Sequence, residues 1–563
     1  MDHHVPLDPA APGRALALLR SRPDLAARAA FPFRFDIART RHVEEVRLAS
    51  GAPLVPVAGT DTGGTYFACP DGAVLYADSE GGAAVIAASV DEALELLVGM
   101  PGCPPPPDPA TPGFAETVAA GAAEAEAEIR EYVPDLDEQR STLLADLGLA
   151  QRPPAELAAR LHRAAAATEP EHLLLNAVEL CAYQPLFAHE RPPLWEPLLA
   201  EGRTRLALVR SDRSAWEAVL ADTARRWSVL HAAHFDRQEG DLPFLRLLLV
   251  REAEEFSMHE GVRRAAVLVA GHGRDEDVAL LERIRDTDSD IARMLLEDVP
   301  ADGDGLRRWA AGHDGFFGAT PDEEHWTTWT ELARRTGRTE LLRAELIHRL
   351  DATAPWDAAG LGVLATQFEL MEDFAQAARA HRMRTVLQET AWDLASDWRD
   401  QAALDRQAGN PVAAWDALRR CMEVLEPGRP GADAAMAAPA VQDGDIPAAR
   451  WRGYGLGRMV AEEHFEVAAA LAATADGAGA TARAAYDTAL WLLGEITMFD
   501  SDLYRAARAA ARSLGDVERA EEFARRHARA LRCEDDGYSY HPDDGDDDEE
   551  AVAEVEGQPE VPS

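Results

Sequence analysis

A turn followed by a helix recurs along the second half of the chain at nearly regular spacing, and this repeat restricts the fold more than any other feature. The four turns begin at Thr336, Met371, Ala408 and Leu514, which lie 35, 37 and 106 residues apart, and 106 is close to three times 35. Small and large apolar residues follow each turn at matching offsets. Such a period is typical of stacked helical hairpins, in which each hairpin buries its apolar face against a neighbour.

The segments before these turns favour the same interpretation. Large apolar residues face one side of Trp326–Leu332, Leu361–Leu364 and Trp398–Leu404. Residues from about 320 to 430 and from about 480 to 533 resemble the tetratricopeptide-repeat family, with degenerate motifs. We therefore predict tetratricopeptide-like repeats over residues 311–533, and the resemblance implies an α/α superhelix with a concave surface that binds a peptide or protein. An irregular helical bundle with coincidental spacing is the alternative.

Strand signals are confined to the first 100 residues. Short apolar runs alternate there with clusters of Gly, Asp, Pro and Ser, a pattern typical of short strands joined by turns. A capping box at Ser89 and apolar residues at 90, 94, 97 and 98 then predict one amphipathic helix. We therefore predict an α+β N-terminal domain over residues 1–100. Its predicted strands are Leu54–Ala58, Thr65–Cys69, Ala73–Ala77 and Ala84–Ala87.

Composition distinguishes a linker, a helical domain and an acidic tail in other parts of the chain. The run PGCPPPPDPATPG at 101–113 predicts a stiff proline-rich linker. Residues 114–310 are rich in alanine, leucine, arginine and glutamate and predict a helical domain without a clear period. Residues 534–563 contain 13 acidic residues and no arginine, which predicts a disordered acidic C-terminal tail.

Charge and residue usage exclude several functions. All 56 basic residues are arginine, so the chain has neither the lysine of a phosphate-binding loop nor a Schiff-base lysine. The net charge of −43 repels phosphate backbones, which argues against a nucleic-acid partner.

Cysteine spacing and hydropathy indicate a soluble cytoplasmic protein. The five cysteines are widely spaced without a CxxC motif, which favours reduced thiols over disulfides or a zinc site. We find no secretory signal pattern and no apolar run of 18 residues, so we expect no membrane partner.

Two acidic turns in the N-terminal region invite comparison with an aspartic protease. Asp61 lies in an Asp-Thr-Gly triplet, and Asp78 begins an Asp-Ser-Glu-Gly run. A protease needs two apolar strands that each lead into a catalytic aspartate, and the two carboxylates then share one proton. No apolar strand precedes Asp61, Glu80 replaces the expected glycine, and 17 residues are too few to separate two lobes. Turn formation explains both runs without catalysis.

The sequence signals for a metal site and for a nucleotide-binding loop are equally weak. His231 and His234 are three positions apart on a predicted helix, but no third metal ligand is marked near them. The glycine cluster at 453–457 lacks the preceding strand of a nucleotide-binding loop. We therefore predict no catalytic residue, no metal and no cofactor, and an enzyme activity within 114–310 stays open as an alternative.

Residues 54–100 resemble the core of the SUKH superfamily, a group of small α+β domains. The resemblance lies in Gly59–Phe67, Val74–Gly81 and the helix over Ser89–Val98. The pair of N-terminal helices usual in that superfamily is not clear in residues 1–50. Many SUKH domains are bacterial immunity proteins that bind and neutralise a toxin. The resemblance implies partner-binding residues at Asp61, Tyr66, Tyr76, Asp78 and Glu80.

The leading hypothesis from the sequence is a bacterial protein that binds a protein partner without catalysis. A basic toxin would match the acidic surface by charge. The alternative is a regulatory or structural helical-repeat scaffold that binds a peptide and has no toxin partner. At the level of single residues, Tyr66 and Tyr76 are also explained as ordinary sheet residues, and the acids as caps of turns.

Overall fold

The computed structural model describes residues 13–102, 107–187, 191–254, 260–286, 296, 298–427, 448–474 and 479–535. The chain forms two compact units, Met1–His348 and Arg349–Ser563. The predicted acidic tail beyond residue 535, and residues 103–106 of the predicted linker, lie outside the described residues.

The first unit contains a small sheet region. Four of its strands are those predicted from the sequence, with bounds that differ by no more than two residues. The strands are β1 (Val46–Leu48), β2 (Val55–Gly59), β3 (Thr65–Ala68), β4 (Val74–Ala77), β5 (Gly82–Ala87), β6 (Leu174–Asn176) and β7 (Gln184–Pro185).

Two sheets result from these strands. One has the order β2-β3-β4-β5-β7, antiparallel from β2 to β5, with β7 parallel to β5. The other pairs β1 with β6 in antiparallel register. Strands β6 and β7 fall within 114–310, which was predicted to be helical. They have only three and two residues, so they carry no alternating pattern, and pairing with distant strands defines them.

The helices that pack around this sheet come from chain segments before and after residue 100. They are α1 (Arg14–Ser21), α2 (Pro23–Ala30), α3 (Val90–Gly99), α4 (Phe114–Arg130), α5 (Leu136–Leu147) and α6 (Pro154–Ala166). Ser89 caps α3 as predicted, accepting a hydrogen bond from the Glu92 backbone N–H at 3.2 Å. Helices α1 and α2 were not recognised in the sequence.

One hydrophobic core joins these elements. Leu16 of α1, Val74 of β4, Leu94 of α3, Leu144 of α5 and Leu157 of α6 belong to a single buried cluster. The packing therefore continues past residue 100, where the sequence predicted a domain boundary.

The rest of the first unit is helical. Its helices are α7 (Trp195–Ser211), α8 (Trp216–Leu220), α9 (Thr223–Phe235), α10 (Leu242–Glu254), α11 (Glu260–Gly271), α12 (Asp275–Arg285), α13 (Gly303–Phe317), α14 (Trp326–Arg335) and α15 (Thr339–Ala352), the last of which extends four residues past His348. Helices α8 and α9 are consecutive in the chain, and the Asp222 side chain caps α9 by accepting from the Arg225 backbone N–H at 2.9 Å.

The second unit consists of helices in the described residues. They are α16 (Ala358–Glu369), α17 (Phe374–Thr385), α18 (Ala391–Gln407), α19 (Pro411–Leu425), α20 (Gly455–Ala473), α21 (Gly479–Leu493), α22 (Ser501–Ser513) and α23 (Val517–Asp535). Consecutive helices pack in pairs, α16 with α17, α18 with α19, α20 with α21 and α22 with α23.

Each of the four turns found in the sequence joins two helices in the same way. A left-handed residue stands at the turn: Gly337, Glu372, Gly409 and Gly515, with φ between 59° and 78°. The next backbone N–H then donates to the carbonyl five residues back, as Asn410 does to Asp405 at 2.9 Å. This hydrogen bond satisfies a carbonyl that the helix end leaves free, so the recurring sequence feature is a recurring C-terminal cap.

Among the helices of the described residues, none is both long and apolar enough to cross a membrane.

Candidate functional site

Two turns lie side by side at one end of the five-stranded sheet. The turns at 60–64 and 78–82 meet there because β3 and β4 run antiparallel. The Ser79 hydroxyl donates to the Thr62 carbonyl at 3.1 Å, and the Gly63 backbone approaches both Ser79 and Val43. We call Val43, Asp61, Gly63, Ser79 and Glu80 the turn face.

Side chains of the turns themselves fix their conformation. One carboxylate oxygen of Asp78 accepts from the backbone N–H groups of Glu80 at 2.9 Å and Gly82 at 2.7 Å. The Thr60 hydroxyl accepts from the Gly64 N–H at 3.0 Å. Asp78 is thus half-buried at the base of its turn, where it serves as the internal hydrogen-bond acceptor that a tight turn requires.

The other two predicted acids face solvent. Asp61 and Glu80 are exposed, and neither side chain forms a hydrogen bond or ion pair with the residues that the structure describes. Within that part of the chain, no hydrogen bond joins the carboxylates of Asp61 and Asp78 either. The pair therefore lacks the shared proton that an aspartic protease needs.

The two predicted tyrosines lie on the face of the sheet that packs into the same core as α1 and α3. Tyr66 and Tyr76 oppose each other across β3 and β4, with ring centroids 4.8 Å apart. Phe35 extends this aromatic stack, 5.4 Å from Tyr66. Tyr66 is 3% exposed, and burial raises the pKa values of both phenols. Tyr66 thus belongs to the hydrophobic core and not to the surface that Asp61 and Glu80 occupy.

A cleft of about 270 Å³ lies beside these tyrosines, and the sequence did not indicate it. Arg34 lines it and makes no side-chain hydrogen bond or ion pair with the described residues. Its backbone is left-handed, with φ of 58°. The remaining wall is mainly apolar, formed by Ile86, Leu96, Leu97, Met100, Leu161, Leu186 and Phe187.

A polar network holds the segment that carries Val43 against the sheet. His42 Nδ1 lies 3.1 Å from the Thr65 hydroxyl, and His42 Nε2 lies 3.2 Å from the Tyr183 hydroxyl. Tyr183 in turn donates to Glu44. Burial lowers the pKa of His42, so the imidazole is neutral at pH 7 and both ring nitrogens are engaged. His42 and Tyr183 are 141 residues apart, which explains why sequence spacing does not reveal the network.

The histidine pair noted in the sequence is buried in helix α9. His231 Nδ1 contacts the Trp227 carbonyl at 2.8 Å, and His234 Nε2 contacts the Gly318 carbonyl at 3.4 Å. Burial and the nearby Arg264 guanidinium lower both pKa values, that of His234 to about 4. A fixed positive charge beside two imidazoles disfavours a bound cation.

A comparison with protein-family models finds none that matches this chain, and a comparison with curated proteins finds no match either.

Proposed function

We propose that this protein acts by binding a protein partner at the turn face and carries out no catalysis there. The supporting observation is the mixture of exposed side chains at one end of the sheet. Val43 is 59% exposed beside the two free acids Asp61 and Glu80. Exposed apolar side chains among polar neighbours are typical of interaction surfaces.

A second apolar side chain widens this surface. Val178 is 80% exposed, and its backbone N–H donates to the Asn176 side chain at 2.8 Å. The Asn176 amide in turn donates to Glu44 at 2.8 Å, next to Val43 in the chain. The proposed contact therefore combines β-turn residues with a segment more than 100 residues away in sequence.

Charge favours a basic partner. Glu44, Glu45, Asp61 and Glu80 are exposed around the turn face, while the neighbouring Arg39 is paired with Asp36 at 3.2 Å. Arg41 is an exposed basic residue that opposes this balance. The chain as a whole carries −43, which accelerates encounter with a positively charged protein.

We further propose a SUKH-like immunity function in which stoichiometric binding neutralises a basic toxin. Helices α1 and α2 support this version, because an N-terminal helical pair is usual in that superfamily and was not clear from the sequence. Their buried residues, such as Leu16 and Leu25, pack into the same core as β4 and α3.

Co-expression with toxins encoded beside the gene tests this proposal. We expect rescue of growth and a one-to-one complex, and replacing Asp61 and Glu80 together by arginine should weaken the complex at least about tenfold. Glu116→Arg is the matched control, since Glu116 is an exposed acid on α4, away from the sheet turns. Absence of rescue and of any complex would refute the immunity function.

A helical-repeat scaffold is the second candidate, and exposed apolar residues of the second unit favour it. Trp356 is 79% exposed and Val386 71% exposed, on either side of the α16–α17 pair. We propose that these tetratricopeptide-like hairpins bind a peptide. In the full-length protein, Trp356→Ala together with Val386→Ser should then abolish peptide capture, whereas the turn-face double variant should leave it intact. The reverse pattern would favour the turn face.

A further inference from the structure

A cysteine, an aspartate and a histidine converge at the end of the sheet opposite the turn face. Cys69 and Asp71 lie in the hairpin between β3 and β4, and His172 lies between α6 and β6. One potential ligand atom from each lies within 4.8 Å of the other two. The closest pair is His172 Nε2 and Asp71 Oδ2, at 3.1 Å.

Backbone hydrogen bonds fix the hairpin that carries Cys69 and Asp71. The Cys69 N–H donates to the Ala73 carbonyl at 2.8 Å. Asp71 Oδ1 accepts from the Ala73 N–H at 3.1 Å, which leaves Oδ2 directed at His172. The hairpin therefore presents sulfur and oxygen on the same side.

The charges around this cluster suit a cation. Within the described residues no arginine pairs with Asp71, whose Oδ2 lies within hydrogen-bond distance of His172 Nε2. His172 Nδ1 is buried and has no hydrogen-bond partner among the described residues. The imidazole therefore has one nitrogen beside a carboxylate and one whose hydrogen-bonding capacity is unused.

A second cluster of one histidine and two carboxylates differs because arginine side chains already pair with it. His381, Asp397 and Asp400 also lie within 4.8 Å of one another. There, Arg384 donates to Asp397 at 2.5 Å and Arg399 pairs with Asp400 at 2.7 Å. Guanidinium groups already neutralise both carboxylates, so an additional cation would be repelled. Among the described residues, no guanidinium group pairs with the cluster around Cys69.

We propose that Cys69, Asp71 and His172 bind a zinc ion, with water as the fourth ligand. Sulfur, imidazole nitrogen and carboxylate oxygen are the ligands that zinc takes in tetrahedral sites. Binding forms a bond between zinc and the Cys69 sulfur and releases the thiol proton to solvent. The ion would connect the β3–β4 hairpin to a segment 101 residues away.

This site is separate from the proposed partner-binding surface, because it uses the opposite end of β3 and β4. Sequence spacing does not reveal it, since two ligands lie in one turn and the third lies far along the chain.

Cobalt substitution of the full-length protein tests the site directly. The chelator-treated protein receives Co²⁺ or Zn²⁺ alone, and His3 and His4 are replaced by glutamine in every sample to remove a terminal histidine pair. We expect one metal per chain and a thiolate-to-cobalt charge-transfer absorption that zinc abolishes. Cys69→Ser should remove this absorption, and His172→Gln should weaken zinc binding by more than the roughly 10- to 100-fold typical of losing an outer partner.

Two matched variants and one conservative variant complete the test. Cys533→Ser and His162→Gln replace a cysteine and a histidine outside the cluster, and both should retain full metal binding. Asp71→Asn changes an exposed turn residue, so it keeps the fold while reducing zinc affinity. Absence of the charge-transfer band in the parent protein, or its persistence in Cys69→Ser, would overturn the proposal.

Discussion

The two units of this chain are stabilised by contacts of different range. In the first unit, strands far apart in sequence pair with each other, as Val46 does with Asn176 and Gly82 with Gln184. In the second unit, consecutive helices pair across short turns, as α18 and α19 do across Gly409. Short-range order leaves a period in the sequence, whereas long-range pairing leaves none.

Buried ion pairs of the first unit are also contacts between segments far apart in sequence. The first unit encloses two arginine–glutamate pairs whose partners are 26 and 60 residues apart, Arg226 with Glu252 and Arg264 with Glu324. Each pair joins different segments of the helical region. We therefore expect single substitutions to cost more in the first unit than at the turns of the second.

Removal of one partner from a buried pair should have the largest effect. Arg226 is 1% exposed and Glu252 0% exposed, and their side chains are 2.6 Å apart. Glu252→Leu leaves the guanidinium charged and buried, so the free energy of unfolding should fall by about 3–5 kcal/mol. Urea denaturation measures the change.

A surface pair in the same unit provides the control. The carboxylate of Glu276 pairs with Arg246 but its side chain is 69% exposed. Glu276→Leu should change the free energy of unfolding by no more than about 1 kcal/mol. Equal effects of the two substitutions would show that burial of the Arg226 pair is unimportant.

Acid should destabilise the first unit through His234. An unfolded histidine has a pKa near 6.5, whereas burial lowers that of folded His234 to about 4. Between these values the unfolded state holds a proton that the folded state lacks. The contribution to stability is therefore complete above pH 6.5 and falls as the pH drops towards 4, by about 3 kcal/mol in total.

The difference between a variant and its parent isolates this histidine. His234→Gln should flatten the decrease in unfolding free energy between pH 6.5 and 4, and His162→Gln should leave it unchanged. An unaltered slope in His234→Gln would show that other groups cause the acid sensitivity.

A hydrogen bond between β5 and Thr168 tests a single long-range contact, and its loss should cost less than the loss of a buried ion pair. The Val85 N–H donates to the Thr168 hydroxyl at 2.9 Å, 83 residues away. Thr168→Val leaves that buried donor without its partner, which should cost about 1–3 kcal/mol and accelerate amide exchange at Val85. Thr488→Val, which removes an exposed hydroxyl within α21, should change stability by less than about 0.5 kcal/mol.

The turns of the second unit should give the smallest changes, of opposite sign. Gly409 has φ of 78° and open space around its Cβ position, so Gly409→Ala should cost about 1–2 kcal/mol from backbone strain alone. Glu372 adopts φ of 59° at the equivalent turn, so Glu372→Gly should stabilise by about 1 kcal/mol. Thermal unfolding measures both, and changes of the same sign would contradict the shared cap.

Local sequence chemistry predicted much of the fold. The strands β2 to β5, the cap at Ser89 and the four helix–helix turns all follow from residues within a few positions of one another. Helices α1 and α2 were missed because each has only eight residues, about two turns in which a period can repeat. Strands β6 and β7 were missed because a distant partner defines them.

Among the candidate sites, too, the features that depend on neighbouring residues could be predicted and those that depend on distant segments could not. Asp61 and Glu80 could be placed at exposed turns from sequence, since glycine and aspartate clusters predict turns. The burial of Tyr66 could not, because distant segments cover both faces of β3, where Tyr66 and its neighbour Phe67 are both buried. The cleft beside Arg34, the His42 network and the cluster around Cys69 each depend on segments brought together from afar.

The sequence by itself determined where this chain turns, since a left-handed glycine or a capping side chain acts on its own backbone. It also determined the spacing of the turns between helices and the net charge of −43. Only the tertiary structure decided which strands extend the sheet, which charges are buried and which side chains meet at its two ends. Those outcomes depend on burial and on pairing between distant segments, and neither leaves a local pattern in the sequence.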